Sequence, residues 1–257
     1  MYTLGIDIGS TTSKCMILKD GGEAVAKSLV AAGTGTKGPR QAYDAVLAAA
    51  GLTASDIGYV MATGYGRTTF EEADSEQSEL SCHAKGVHFV RPDCRTIIDI
   101  GGQDAKVIQL SDAGVISNFV MNDKCAAGTG RFLDVMAGIL QLKIGELEEY
   151  ARRAKSPVKI SSTCTVFAES EVISQLSKNV DMDDLVAGIC NSVASRTASL
   201  AKRAGIKEKV CMSGGVAQNG GVRDALAREL GTQVLYVEDA QYMGALGAAI
   251  AAYDKVK

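Results

Sequence analysis

The sequence has no tryptophan, five phenylalanines and eight tyrosines, a scarcity that fits a tightly packed α/β protein and by itself excludes nothing. Basic charge is not in excess. The formal net charge of −3 leaves no electrostatic footprint for nucleic acid, and no basic amphipathic stretch suggests a membrane surface. No apolar run approaches the length of a membrane span. No charged leader or cleavage site precedes Tyr2–Asp7, so a cytoplasmic protein is expected. The seven cysteines are an odd number without the regular short spacings of a disulfide framework. In a reducing compartment they read as free thiols or metal ligands. Two nucleotide motifs are missing as well: there is no G-x-x-x-x-G-K-[ST], and no G-x-G-x-x-G after the first strand-like run. Walker and Rossmann sites are thereby excluded. What remains is a 257-residue chain, 46% hydrophobic and 22% charged, with ample core for one large domain or two moderate ones.

Against these absences stands an internal repeat. Leu4–Gly9, a polar Ser10–Ser13 turn and Lys14–Leu18 read as strand, turn, strand. Thr96–Leu110 reads the same way at a constant offset of 92, with no gap. Ile6 meets Ile98, Asp7 meets Asp99, Ile8 meets Ile100, Gly9 meets Gly101, Lys14 meets Lys106 and Leu18 meets Leu110. Generic strands would not keep an Asp-hydrophobic-Gly run and a lysine five residues beyond the glycine, so the domain is read as duplicated. Helices are expected over 39–50 with Gly51 as stop, 78–90, 147–155, 183–204, 222–230 and 242–253. Strands are expected over 57–62, 209–212 and 232–237.

Between these elements lie loops suited to phosphate. Gly9-Ser10-Thr11-Thr12 and Gly101-Gly102-Gln103-Asp104 carry short side chains or none, which lets backbone N–H groups approach phosphate oxygens. Asp7 and Asp99 at strand ends are candidates to hold Mg²⁺ through water, and Gln103 and Asp104 to orient an attacking water. Ser213-Gly214-Gly215, followed by Gln218, forms a third glycine turn after a strand, suited to a nucleoside.

The cysteines divide by context. Cys125 precedes Gly128-Thr129-Gly130, which opens a helix with Phe132, Val135, Met136, Ile139 and Leu140 on one face. Cys164 stands before the helical run from Val166 to Ile173, with Thr163 or Thr165 expected as N-cap. Helix starts suit both phosphate and a thiolate. Cys15, Cys190 and Cys211 read as core. Cys82 beside His83 suggests a metal pair, but adjacent residues rarely share an ion, and an ordinary helix position is expected there.

The hairpins and the Ser213-Gly214-Gly215 turn resemble those of the duplicated ATPases that include actin, sugar kinases and acetate kinase. Within that superfamily the chain is similar to the BadF/BcrA-type activator ATPases of 2-hydroxyacyl-CoA dehydratases. Gly5–Lys14, Asp99–Asp104, Asn122–Asp134, Ser161–Gln175, Ser213–Asn219 and Gln241–Ala248 carry the likeness, which runs over essentially the whole chain. The resemblance implies an α/β, duplicated, ribonuclease H-like ATPase fold, with subdomains 1–94 and 95–257 flanking a nucleotide cleft. It implies ATP, ADP and Mg²⁺ as ligands. It also implies that Cys125 and Cys164 ligate iron. One chain offers two such thiolates where a [4Fe–4S] cluster takes four, so a two-fold homodimer would complete the set. Structural zinc usually takes closely spaced cysteine pairs, which are absent here. The implied partners are a ferredoxin or flavodoxin as electron donor and a dehydratase as acceptor. Three rivals stand beside this: an activator of another iron–sulfur partner such as a double-cubane cluster reductase, a small-molecule kinase, and a nucleotide-dependent scaffold.

Overall fold

Each hairpin seeds a five-stranded sheet in the computed structural model, which describes every residue except Lys124, Ser162 and Thr163. β1 (Tyr2–Ile8), β2 (Ser13–Lys19) and β3 (Glu23–Val30) run antiparallel; β4 (Ile57–Thr63) lies parallel to β1, and β5 (Ser75–Glu76) to β4. The order is β3-β2-β1-β4-β5. The second sheet holds β6 (Thr96–Ile100), β7 (Ala105–Leu110), β8 (Ile116–Asn122), β9 (Val210–Ser213) and β10 (Val234–Tyr236). Its order, β8-β7-β6-β9-β10, repeats the first strand for strand.

The helices are α1 (Gly38–Ala50), α2 (Glu79–Val90), α3 (Gly130–Ile139), α4 (Leu147–Arg153), α5 (Thr165–Ser177), α6 (Met182–Ala204), α7 (Gly220–Leu230) and α8 (Met243–Val256). Their ends follow local chemistry. Gly51 closes α1 in the left-handed conformation at φ 66°, while the side chains of Ser78, Asp181 and Asn219 cap α2, α6 and α7. The 92-residue offset extends beyond the hairpins: Val30 and Asn122 end β3 and β8, and Gly38 and Gly130 open α1 and α3. Neither β3 nor β8 was expected from the sequence. Neither buries a single residue, so neither shows the apolar alternation that marks a half-buried strand.

The chain forms two compact units. One comprises Met1–Cys94, Leu110–Ser117 and Val237–Lys257; the other comprises Arg95–Gln109 and Asn118–Tyr236. In the first, Leu4, Ile6, Ile8, Cys15 and Ile17 pack with Ala42, Tyr43, Val46 and Leu47 of α1, and Phe70 meets the Tyr43 ring edge-on at 5.6 Å. On the other face α8 crosses β1 and β4 and packs on α2. In the second unit α6 buries an apolar stripe from Leu185 to Ala204 and packs against α4 and α7. Among the described residues, no helix is long and apolar enough to cross a membrane.

The seat of α8 on β1 depends on the absence of side chains, because a β-carbon at Gly5 would land on the Ala245 carbonyl. Gly5→Ala should therefore cost about 3 kcal/mol by overpacking, whereas Gly22→Ala, with nothing within 4 Å, should stay within about 0.5 kcal/mol. Urea midpoints check this; equal midpoints for the two variants would contradict it.

Candidate functional site

Both hairpin turns place an aspartate opposite a lysine across the strands, Asp7 against Lys14 and Asp99 against Lys106. Each turn closes through one main-chain bond, Gly9 N–H to Thr12 O at 3.0 Å and Gly101 N–H to Asp104 O at 2.9 Å. The electrostatics differ. Lys14 is partly exposed and pairs with Asp7 at 3.2 Å. Lys106 is buried and faces two carboxylates, Asp104 at 2.5 Å and Asp99 at 3.5 Å. The first turn thus sets one carboxylate against its lysine, while the second sets two against one, where Asp104 replaces Thr12. Asp104 folds back over Gly101, whose β-carbon would lie 2.6 Å from Oδ1. Gln103 is exposed at the tip, and Ser10, Thr11 and Thr12 are half-buried.

The strands beside each aspartate are followed by matching glycines, Gly64 at φ 85° and Gly214 at φ 82°. A side chain at either would strike the aspartate, at 2.6 Å from Asp7 Oδ1 or 2.8 Å from Asp99 Oδ1. Ser213 donates its hydroxyl to Asp99 Oδ1 at 2.9 Å. Thr63, in the same register beside Asp7, donates instead to Gln77 O at 2.9 Å. Asp7 Oδ1 is consequently buried without a hydrogen-bond partner among the described residues. Such an acceptor fits the water shell of a divalent cation. Gly215 and Gln218 are exposed on the short turn that follows Gly214.

At the entrance of α3 two of the N–H groups expected to face phosphate, those of Thr129 and Gly130, are already engaged. Gly130 N–H donates to Gly101 O and Arg131 N–H to Gly102 O, both at 2.8 Å. The Thr129 hydroxyl reaches Gly102 O at 3.1 Å and Ala126 O at 2.6 Å, and its N–H reaches Ala126 O at 3.1 Å. Gly128, at φ 88°, leaves room for the Arg196 stem. The glycine-rich loop is therefore bonded to the second hairpin turn. In the first unit Gly38 N–H bonds Thr36 Oγ1 at 2.9 Å instead, and the loop meets its turn through Thr34 N–H to Gly9 O at 2.9 Å.

Of the seven cysteines, five are buried, and Cys125 and Cys164 are exposed. Burial pushes the thiols of Cys82 and Cys190 up to about 12 and that of Cys15 higher still, so these stay protonated. Cys82 occupies a buried position within α2, beside His83. Cys164 is itself the N-cap of α5, and Thr165 is the first helical residue rather than the cap. Thr163, the other expected cap, lies outside the described residues. The Cys125 carbonyl accepts from Asn122 Nδ2 at 3.0 Å, and α3 packs against α5. α5 buries Ala168 and Val172 but exposes Val166, Phe167 and Ile173. Sequence reading passed over Lys106 as a site residue, although its recurrence as Lys14 in the repeat was the signal.

Lys106→Met should leave Asp99 and Asp104 facing each other in the interior and cost about 3–5 kcal/mol, as for a broken buried pair. Lys14→Met, in a more exposed pair with one carboxylate, should cost about 1 kcal/mol. Denaturant titration of the two variants distinguishes them, and equal losses would contradict the asymmetry.

The family model described as the BadF/BadG/BcrA/BcrD ATPase family matches residues 4–252. The (R)-2-hydroxyglutaryl-CoA dehydratase activating ATPase of Acidaminococcus fermentans is 59% identical over 99% of this chain and 98% of its own. The structure of the activator of the 2-hydroxyisocaproyl-CoA dehydratase from Clostridium difficile with bound ADPNP is 54% identical. It superposes with a TM-score of 0.98, covering 99% of this chain and 95% of its own. A ROK family glucokinase from Streptomyces griseus, 16% identical with a TM-score of 0.59 over 99% and 100% of the two chains, shares the fold alone. The fold is the actin-like ATPase fold expected from the duplicated hairpins. Matched over nearly its whole length, the chain belongs to the BadF/BadG/BcrA/BcrD ATPase family, among the members similar to activators of 2-hydroxyacyl-CoA dehydratases.

Proposed function

We propose that the protein is an ATP-hydrolysing, one-electron activator of a 2-hydroxyacyl-CoA dehydratase, acting as a homodimer. Its membership of an ATPase family and its likeness to an activator crystallised with ADPNP support nucleotide binding here. The phosphates are taken by Gly9, Ser10, Thr11, Thr12 and Lys14 of the first turn and Gly101, Gly102 and Gln103 of the second. Ser213, Gly214, Gly215 and Gln218 lie along the nucleoside. Asp7 and Asp99 hold Mg²⁺ through its waters, and the unpartnered Oδ1 of Asp7 supports that assignment. Exposed Gln103 orients the attacking water, and Asp104, gripped by Lys106, keeps the turn in shape for it.

Cys125 and Cys164, with their copies in a second chain, are the proposed ligands of one [4Fe–4S] cluster. They fit that role by donor chemistry, as the two exposed thiols among seven. When bound, the cluster supplies transfer of single low-potential electrons. The exposed Val166, Phe167 and Ile173 beside Cys164 support burial against a second copy. A ferredoxin or flavodoxin is the proposed donor, and the partner dehydratase holds the acyl-CoA.

The observation that carries the coupling is the bonding of α3 to the second turn. Gly130 and Arg131 donate to the carbonyls of Gly101 and Gly102, so a turn that shifts with the γ-phosphate must carry the α3 entrance and Cys125 with it. ATP drives this to the extent that it binds the shifted form more tightly, by about 1–3 kcal/mol in ordinary coupling. The likeness to sugar kinases is one of fold and brings no phosphoryl acceptor to this chain.

Cys125→Ala and Cys164→Ala should each abolish iron uptake during anaerobic reconstitution while ADPNP affinity stays within about threefold. Cys15→Ser should retain full iron. Iron assays with calorimetric titration check this; iron retained in either of the first two variants would contradict the ligand assignment.

A further inference from the structure

The segment that delivers Cys164 is held by two carboxylates. After α4 the chain crosses the start of α6, where Asp184 Oδ1 accepts the N–H groups of Lys155 and Ser156, both at 2.7 Å. Val158 N–H bonds Asp184 O at 3.0 Å, and its carbonyl lies on Gly188, where a β-carbon would collide with it. Ile160 is then buried. At Ser161 the chain reaches α5 before α5 has begun. Glu171, ten residues further on and nearly two turns into the helix, accepts Ser161 N–H at 2.9 Å on Oε1 and 3.1 Å on Oε2. Its Oε1 also accepts the Ser161 hydroxyl at 3.0 Å. Cys164 sits inside the loop that this contact closes, as the N-cap of the same helix, with its carbonyl bonded to Ala168 N–H at 2.9 Å.

We infer that Glu171 is a positioning residue for Cys164, clasping Ser161 to α5 so that Ser161 and the capping Cys164 move with the helix. The inference rests on the reading of Cys164 as a cluster ligand. Packing alone anchors α5 weakly, since it buries only Ala168 and Val172. A charge-assisted clasp supplies what the thin apolar stripe does not. Without the clasp, Cys164 would keep only its carbonyl bond to Ala168 N–H, and Ser161 ahead of it would no longer be tied to the helix. With the clasp, a tilt of α5 carries Ser161 as well as the capping Cys164.

Because Oε1 accepts both Ser161 bonds, a glutamine carbonyl can replace it, and that distinguishes the clasp from the charge. Three anaerobic, reconstituted proteins are compared: wild type, Glu171→Ala and Glu171→Gln. Glu171→Ala should release iron to an iron chelator about tenfold faster than wild type, the loss expected for one charge-assisted hydrogen bond. Glu171→Gln should stay within about twofold. ADPNP affinity should be unchanged in all three. In the iron-free proteins, hydrogen exchange at the Ser161 amide should rise in Glu171→Ala and not in Glu171→Gln. Equal iron release by the two variants, or Ser161 exchange in Glu171→Ala at the wild-type rate, would overturn the clasp. A wild type that takes up no iron would instead refute the ligand reading, and Ser161 exchange would still decide the clasp.

Discussion

Two main-chain carbonyls, those of Gly101 and Gly102, hold the second hairpin turn to the start of α3. A helix begins with N–H groups that have no partner within it. In α3 the first of these are satisfied by the hairpin turn, at 2.8 Å each, with the Thr129 hydroxyl as a third tie. Parting turn from helix would break both hydrogen bonds, at about 0.5–1.5 kcal/mol for each. The turn and the helix entrance therefore behave as one piece. Gly130 is what permits this approach: a β-carbon there would sit 3.1 Å from Gly101 O and 3.5 Å from a Val216 methyl. Hairpin turn, helix entrance and the Gly214 turn thus meet at one glycine.

The duplication shows which parts of this are scaffold and which are specialised. Sheet order, the Asp–Lys cross-strand pair, the turn-closing bond and the left-handed glycine recur in both units. The departures fall in the second unit. Asp104 stands where the first has Thr12, so Lys106 is buried between two carboxylates. Cys125 stands where the first has Gly33, at the same offset of 92. The helix entrance is tied to the hairpin turn rather than to a local threonine. A common framework has been specialised on one side only, where turn, helix and exposed cysteine are continuous.

Much of the fold was legible because duplication doubles every weak signal: one Asp-Ile-Gly run is generic, whereas two at a fixed spacing are not. Caps at Ser78, Asp181 and Asn219 and the stop at Gly51 delimit helices by chemistry that side chains announce. The edge strands β3 and β8 were not legible, since a strand with no buried residue carries no pattern. At the site, the glycines of the α3 loop were visible but their use was not. Sequence offers their N–H groups to phosphate; only the fold reveals that the second turn has taken that of Gly130, and that of Arg131 beside it. The exposure of Cys125 and Cys164 was likewise hidden, because a helix start says nothing about what covers it.

The central claim is that a nucleotide held at the second turn alters the setting of the cysteine-bearing helices. Its most direct test is the reduction potential and electron paramagnetic resonance spectrum of the anaerobic, iron-loaded protein, recorded with ADP and with ADPNP. The hydrogen-bonded path from Gly101 and Gly102 to Cys125 predicts that both differ between the two nucleotides. Identical potentials and identical spectra, with electron delivery to the dehydratase indifferent to nucleotide, would contradict it.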